Sequence, residues 1–155
     1  MILLVHMLLG ATIGSKVSNI FLAITLAFLS HYFLDFLPHI EYPIENINKN
    51  QWRKAIPDFL RVALDFFIGA LLIFIFSKLA LPAGRQAIVY TCAFFAILPD
   101  GLTILEYVFP NRILKFHSYI HRKKIHLLRD KKIPIFWRIF SQATVVVICI
   151  LFLKF

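Results

Sequence analysis

The chain has 155 residues, 60% of them hydrophobic and 15% aromatic, with 17 phenylalanines and a formal net charge of +9. A water-soluble domain of this length carries more charge and far fewer aromatics, so the bilayer is the expected solvent and an ordinary soluble enzyme is excluded. Cys92 and Cys149 stand in apolar runs at neither metal-site nor redox-motif spacing, which excludes a disulfide framework and thiol chemistry.

In chain order, residues 2–13 form an apolar segment. It is too short to cross a hydrocarbon core of about 30 Å, which takes about 20 helical residues. It lacks the basic start and cleavage site of a signal peptide, so it reads as a retained helix, tilted or re-entrant. Gly10 and Gly14 have the small-xxx-small spacing that lets helices approach closely. Residues 15–19 break the chain, and residues 20–37, 59–79, 86–109 and 137–155 are long enough, or nearly so, to span. The predicted fold is therefore all-α, a polytopic transmembrane bundle of four spanning helices plus a short N-terminal helix, in one membrane domain over 1–155. Pro38 closes the second segment, residues 40–57 form a polar loop, and Leu81-Pro82-Ala83-Gly84 makes a tight turn.

Between Asn111 and Arg138 there are nine lysines and arginines, with Asp130 the one acid. The positive-inside rule makes this basic loop, about 111–136, cytoplasmic. Its charge also suits anionic headgroups or phosphate esters. No recognition motif accompanies it, so nucleic acid is not an expected partner.

His31, Asp35 and His39, in SHYFLDFLPH, recur every four residues and share one helix face. Two imidazoles bracketing a carboxylate form a donor set for a divalent metal, although a hydrogen-bonded pair gluing helices is the competing reading for His31 and Asp35, and a solvated loop histidine for His39. Ionisable groups at membrane depth usually face a protein interior or a water-filled cavity. Alternation of the spans brings Asp65 and Asp100, about 10 and 13 Å inside their helices, to the same level on the cytoplasmic side, with His6 beside them. Asp65 has Arg61 one turn earlier, so an intrahelical ion pair competes there. Leu98-Pro99-Asp100-Gly101 is expected to interrupt its helix, because irregular backbone at depth lines a site. His117 and His121, in FHSYIH, share a face just outside the membrane.

HMLLGATIG, SHYFLDFLPHIEY, LPD and the later HSYIH resemble, as an ordered series over most of the chain, the bacterial membrane-bound metal-dependent hydrolases, also described as LexA-binding, inner-membrane-associated hydrolases. The His-x3-Asp pair is more weakly similar to the zinc-dependent phospholipase C and P1 nuclease group. HSYIH departs from the fuller His-Arg-x-x-x-His-Ser pattern of the first family. The resemblance carries over to His6, Gly10, His31, Asp35, Asp100, His117 and His121. It implies a divalent metal held by Asp35, Asp100 and one or more of His6, His31, His117 and His121. Zinc suits such mixed donors, as do manganese and iron. Asp100 and Asp65 are the catalytic candidates, Asp65 as general base or as a carboxylate orienting a ligand.

The expected activity is hydrolysis of a phosphoester or ester, with a membrane lipid as substrate class, at the cytoplasmic face of a bacterial or archaeal cytoplasmic membrane. The alternatives are a small proton- or metal-ion transporter, built from the same residue types, and a non-catalytic scaffold. A transport path needs polar groups continuing outward, and the outer halves of the spans have almost none.

Overall fold

A helix that is apolar all round has to be enclosed, and α1 (Leu3–Lys16) is buried on most of its circumference. It packs against α2 (Ile20–Asp35), α4 (Ile56–Ala80), α5 (Ala83–Val108) and α7 (Ile135–Lys154). The computed structural model describes residues 1–49, 51–125 and 133–154, all helix, turn or loop. At 14 residues, α1 is about 21 Å long. It crosses α5 closely because Gly10 and Gly14 face it. A Cβ at position 10 would lie 2.5 Å from the Cys92 carbonyl oxygen and 2.6 Å from Ala96 Cβ.

Three helices, α4, α5 and α7, are long and apolar enough to cross a membrane. Their outward faces confirm what solvent they suit: Leu60, Leu64, Phe67 and Leu71 form an exposed apolar stripe along α4. The expected span at 20–37 is a shorter helix, 16 residues and about 24 Å long. Asn19 caps its start by accepting from the Leu22 amide at 3.0 Å. Its end comes at Asp35 because Pro38 disfavours the helical conformation in the residue before it.

Two further expectations differ from the structure. The helix α5 runs through Leu98–Gly101 without interruption, with Pro99 inside it. A proline removes one backbone donor and crowds the preceding turn, a defect that membrane helices tolerate when neighbours satisfy the freed groups. The first half of the basic loop is also structured. Asn111 caps α6 (Arg112–Ile120), accepting from the Leu114 amide at 2.9 Å, and a single π-helical turn follows at His121–Ile125. His126 and the basic residues to Lys132 lie outside the described residues.

The polar loop carries a short helix, α3 (Glu45–Asn48), fastened by Asp58, which accepts from the Asn46 and Ile47 amides at 2.8 and 3.2 Å. Its near end is tied to α7, where Gln142 donates to the Ile40 carbonyl at 2.8 Å and Ser141 to that of Pro38. These ties close the bundle beside α1, α2 and α5, where the polar residues collect.

Candidate metal centre

The last turn of α2, the middle of α5 and the start of the π-helical turn meet at one point. They bring together His31, Asp35, Asp100 and His121, whose ligand-capable atoms all lie within 4.8 Å of one another. His31 Nε2 is 3.0 Å from His121 Nε2, and each is 3.1 Å from Asp35 Oδ2. Asp100 Oδ1 lies 3.6 Å from His31 Nε2 and 3.9 Å from His121 Nε2. Ligands about 2.1 Å from a tetrahedral ion stand about 3.4 Å apart, so these separations bracket the spacing that one divalent cation imposes.

The protonation pattern agrees with the spacing. His31 Nδ1 lies 2.8 Å from the Ala96 carbonyl, which can only accept, so Nδ1 carries a proton and the neutral imidazole has its lone pair on Nε2. His121 Nδ1 lies 3.2 Å from Thr103 Oγ1, whose own proton can go to the Pro99 carbonyl at 3.1 Å. His121 Nδ1 is then also the donor, and the neutral ring again has its lone pair on Nε2, where in this structure it pairs with His31 and Asp35. Two imidazole Nε2 atoms and two carboxylates converge, with His31, Asp35 and His121 buried. Two carboxylates in one place call for positive charge among them. The Met1 amino nitrogen lies 2.8 Å from the other oxygen of Asp35, Oδ1. The donor set fits a divalent cation held by His31, Asp35, Asp100 and His121.

The other predicted residues are placed as follows. His6 is fully buried and stacks on His31 with ring centroids 4.1 Å apart, and its Nε2 lies 3.3 Å from Asp35 Oδ1. His117 stacks on His121 at 5.7 Å and pairs with the Tyr32 hydroxyl, Nε2 to Oη 3.0 Å, outside the four-residue set. Burial is the chief cause that holds the His117 imidazole below its ordinary pKa. Asp65 is not brought to the cluster. It accepts from the Leu4 amide at 3.2 Å and from the Leu3 amide, at the first turn of α1, where Ile2 offers no side-chain cap. Tyr42 donates to the same carboxylate, and burial together with that negative charge pushes the Tyr42 hydroxyl pKa up. Arg61 pairs with Asp58 at 3.1 Å.

Three groups at the centre went unassigned from sequence: Tyr32, Thr103 and the Ala96 carbonyl. Thr103 lies three residues after Asp100, one turn along the same face, which is the signal that could have marked it. Asp100 keeps about a third of its side chain exposed, 31%, and with half-buried Tyr32 and His117 forms the open side of the cluster. Arg122, next in sequence to His121, stands over the Tyr107 ring, its guanidinium 4.7 Å from the centroid, and pairs with Glu106 at 3.9 Å. Comparison with protein-family models, curated proteins and solved structures gives no match.

Proposed function

We propose that this protein is a metal-dependent membrane hydrolase acting on a phosphoester of a membrane lipid at the cytoplasmic headgroup level. The observation that carries the reading is the convergence of the His31 and His121 Nε2 atoms, 3.0 Å apart, with Asp35 and Asp100. Zinc is the first choice of metal, with manganese and iron suited to the same donors. In this reading α2 is a fourth, short crossing, and the basic segment beginning at α6 lies in the cytoplasm.

When bound, a divalent cation supplies Lewis acidity and lowers the pKa of water. The chain's own residues do the rest. Asp100 and Tyr32 border the approach, and the cations Arg122, Lys123 and Lys124 next to His121 favour an anionic substrate. His117, whose pKa burial lowers, is placed to accept a proton, with Tyr32 fixing its orientation. Asp65 holds the start of α1 in place of acting as the base.

The transporter reading is weaker because apolar packing closes the way outward. Ala23, Ala27, Cys92 and Ala96 fill the contact between α2 and α5 beyond the site. The test is incubation of purified, metal-loaded protein with mixed phospholipids and lipid diphosphates, with products identified by mass spectrometry. Asp35→Asn and Asp100→Asn should each abolish turnover while helical content stays unchanged. Absence of any product, alongside metal flux into liposomes that both variants lose, would replace the hydrolase by a transporter.

A further inference from the structure

Asp35 has two carboxylate oxygens, and the centre described above uses one. Oδ2 faces His31 and His121, whereas Oδ1 faces His6 Nε2 at 3.3 Å and His39 Nε2 at 4.0 Å. His6 and His31 are stacked with their planes 22° apart, so two near-parallel imidazoles each present an Nε2 to a different oxygen of one carboxylate. His6 is completely buried, and neither of its ring nitrogens has a hydrogen-bond partner among the described residues. The approach of its Nε2 to Asp35 is close enough for an ionic contact but not aligned as a hydrogen bond.

His39 has the preparation of a ligand. Its Nδ1 donates to the Leu37 carbonyl at 2.7 Å, so the neutral imidazole has its lone pair on Nε2. In this structure Nε2 is hydrogen-bonded to Glu41 Oε1 at 3.0 Å, a proton contact that a cation between the two would replace. The Met1 amino nitrogen contacts Oδ1 at 2.8 Å, a place that a cation on this oxygen would take from it.

We propose that a second divalent cation binds on Oδ1 of Asp35, held by His6 Nε2, His39 Nε2 and Glu41, with Asp35 bridging it to the first. This rests on the metal reading of the first centre. Paired cations clamp the attacking and leaving oxygens of a phosphoryl displacement, so the arrangement favours the phosphoester of that reading over a carboxylic ester.

The experiment is manganese binding to the metal-depleted, detergent-purified full chain, read by equilibrium dialysis with elemental analysis and by electron paramagnetic resonance. The expected result is two equivalents per chain and the broadened spectrum of a spin-coupled pair. His6→Phe and His39→Gln should each reduce binding to one equivalent and restore the six-line signal of an isolated ion. His39 lies in the connection after α2, so its variant remains informative should replacement of the buried His6 prevent folding, which circular dichroism monitors. One equivalent in the unmodified chain, unchanged in both variants, would overturn the second cation and leave the first. No binding at all would overturn both.

Discussion

Thr103→Val isolates the claim that hydrogen bonds behind the ligands set their chemistry. Valine keeps the branched shape and the helical rotamer preference of threonine, so α5 loses almost nothing in packing or propensity. What it removes is the acceptor for His121 Nδ1, now 3.2 Å away, and the relay from there to the Pro99 carbonyl. Without that acceptor, His121 gains by moving its proton to Nε2, where Asp35 Oδ2 at 3.1 Å accepts it, and the lone pair aimed at the metal is lost. Removing such an outer partner of a ligating histidine typically weakens metal binding 10- to 100-fold, which is about 1.4–2.8 kcal/mol at 1.4 kcal/mol per tenfold. Competition against a chelating dye at constant pH measures this directly. Thr103→Ser, which keeps the hydroxyl, should bind within a few-fold of the unmodified chain. Equal affinity in the valine and serine variants would refute the tautomer argument, and with it the assignment of His121 as a ligand through Nε2.

Gly10→Leu should unfold or expel α1, because even a Cβ there meets the Cys92 carbonyl at 2.5 Å; overpacking of this kind costs about 1–3 kcal/mol or more, read as a lowered thermal midpoint in detergent. Gly84→Ala is its control, since a Cβ at that position meets nothing within 4 Å. Asp65→Ala should cost roughly 1 kcal/mol of stability, the usual value of a lost helix cap, and leave metal stoichiometry untouched; loss of bound metal instead would return Asp65 to the centre. For orientation, a single cysteine at Lys115 should resist membrane-impermeant thiol reagents in intact cells while one at Ala83 reacts, and the reverse pattern would put the cluster on the outer face.

Much of the fold was legible because apolar length and breaker residues act locally. Gly10 and Gly14 announced a close helix crossing, though not that α5 would be the partner, and the turn before Ala83 follows from Pro82. The shortness of α2 was harder to see, since hydropathy continues through Phe36 and Leu37 while the backbone preference imposed by Pro38 does not. At the site, a four-residue recurrence identifies one face of one helix, which is why His31 and Asp35 stood out. Counting residues from the membrane edge gives depth on the remaining helices but not rotation about their axes. Asp65 illustrates the difference. Its side chain points at the Leu3 and Leu4 amides, whose donors at a helix start attract a carboxylate. Thr103 and the Ala96 carbonyl were invisible for a related reason, because their role depends on which neighbour's nitrogen lies opposite.

The position of α1 makes packing and chemistry interdependent. His6, Gly10 and Gly14 lie four residues apart, so the stripe that lets α1 press against α5 also carries an imidazole to His31. Lengthening α1 to a full span would gain lipid-facing surface but draw this stripe out of the interior, where it now packs among four other helices. Burying the carboxylate of Asp35 beside a half-open Asp100 costs several kcal/mol per ion when uncompensated. A divalent cation between them cancels both charges at once. The neutral imidazoles add ligand strength without adding charge to be desolvated. A centre of two carboxylates and two histidines is thus the combination that can sit deep in an apolar bundle when loaded, and its partial exposure at Asp100 keeps one side open.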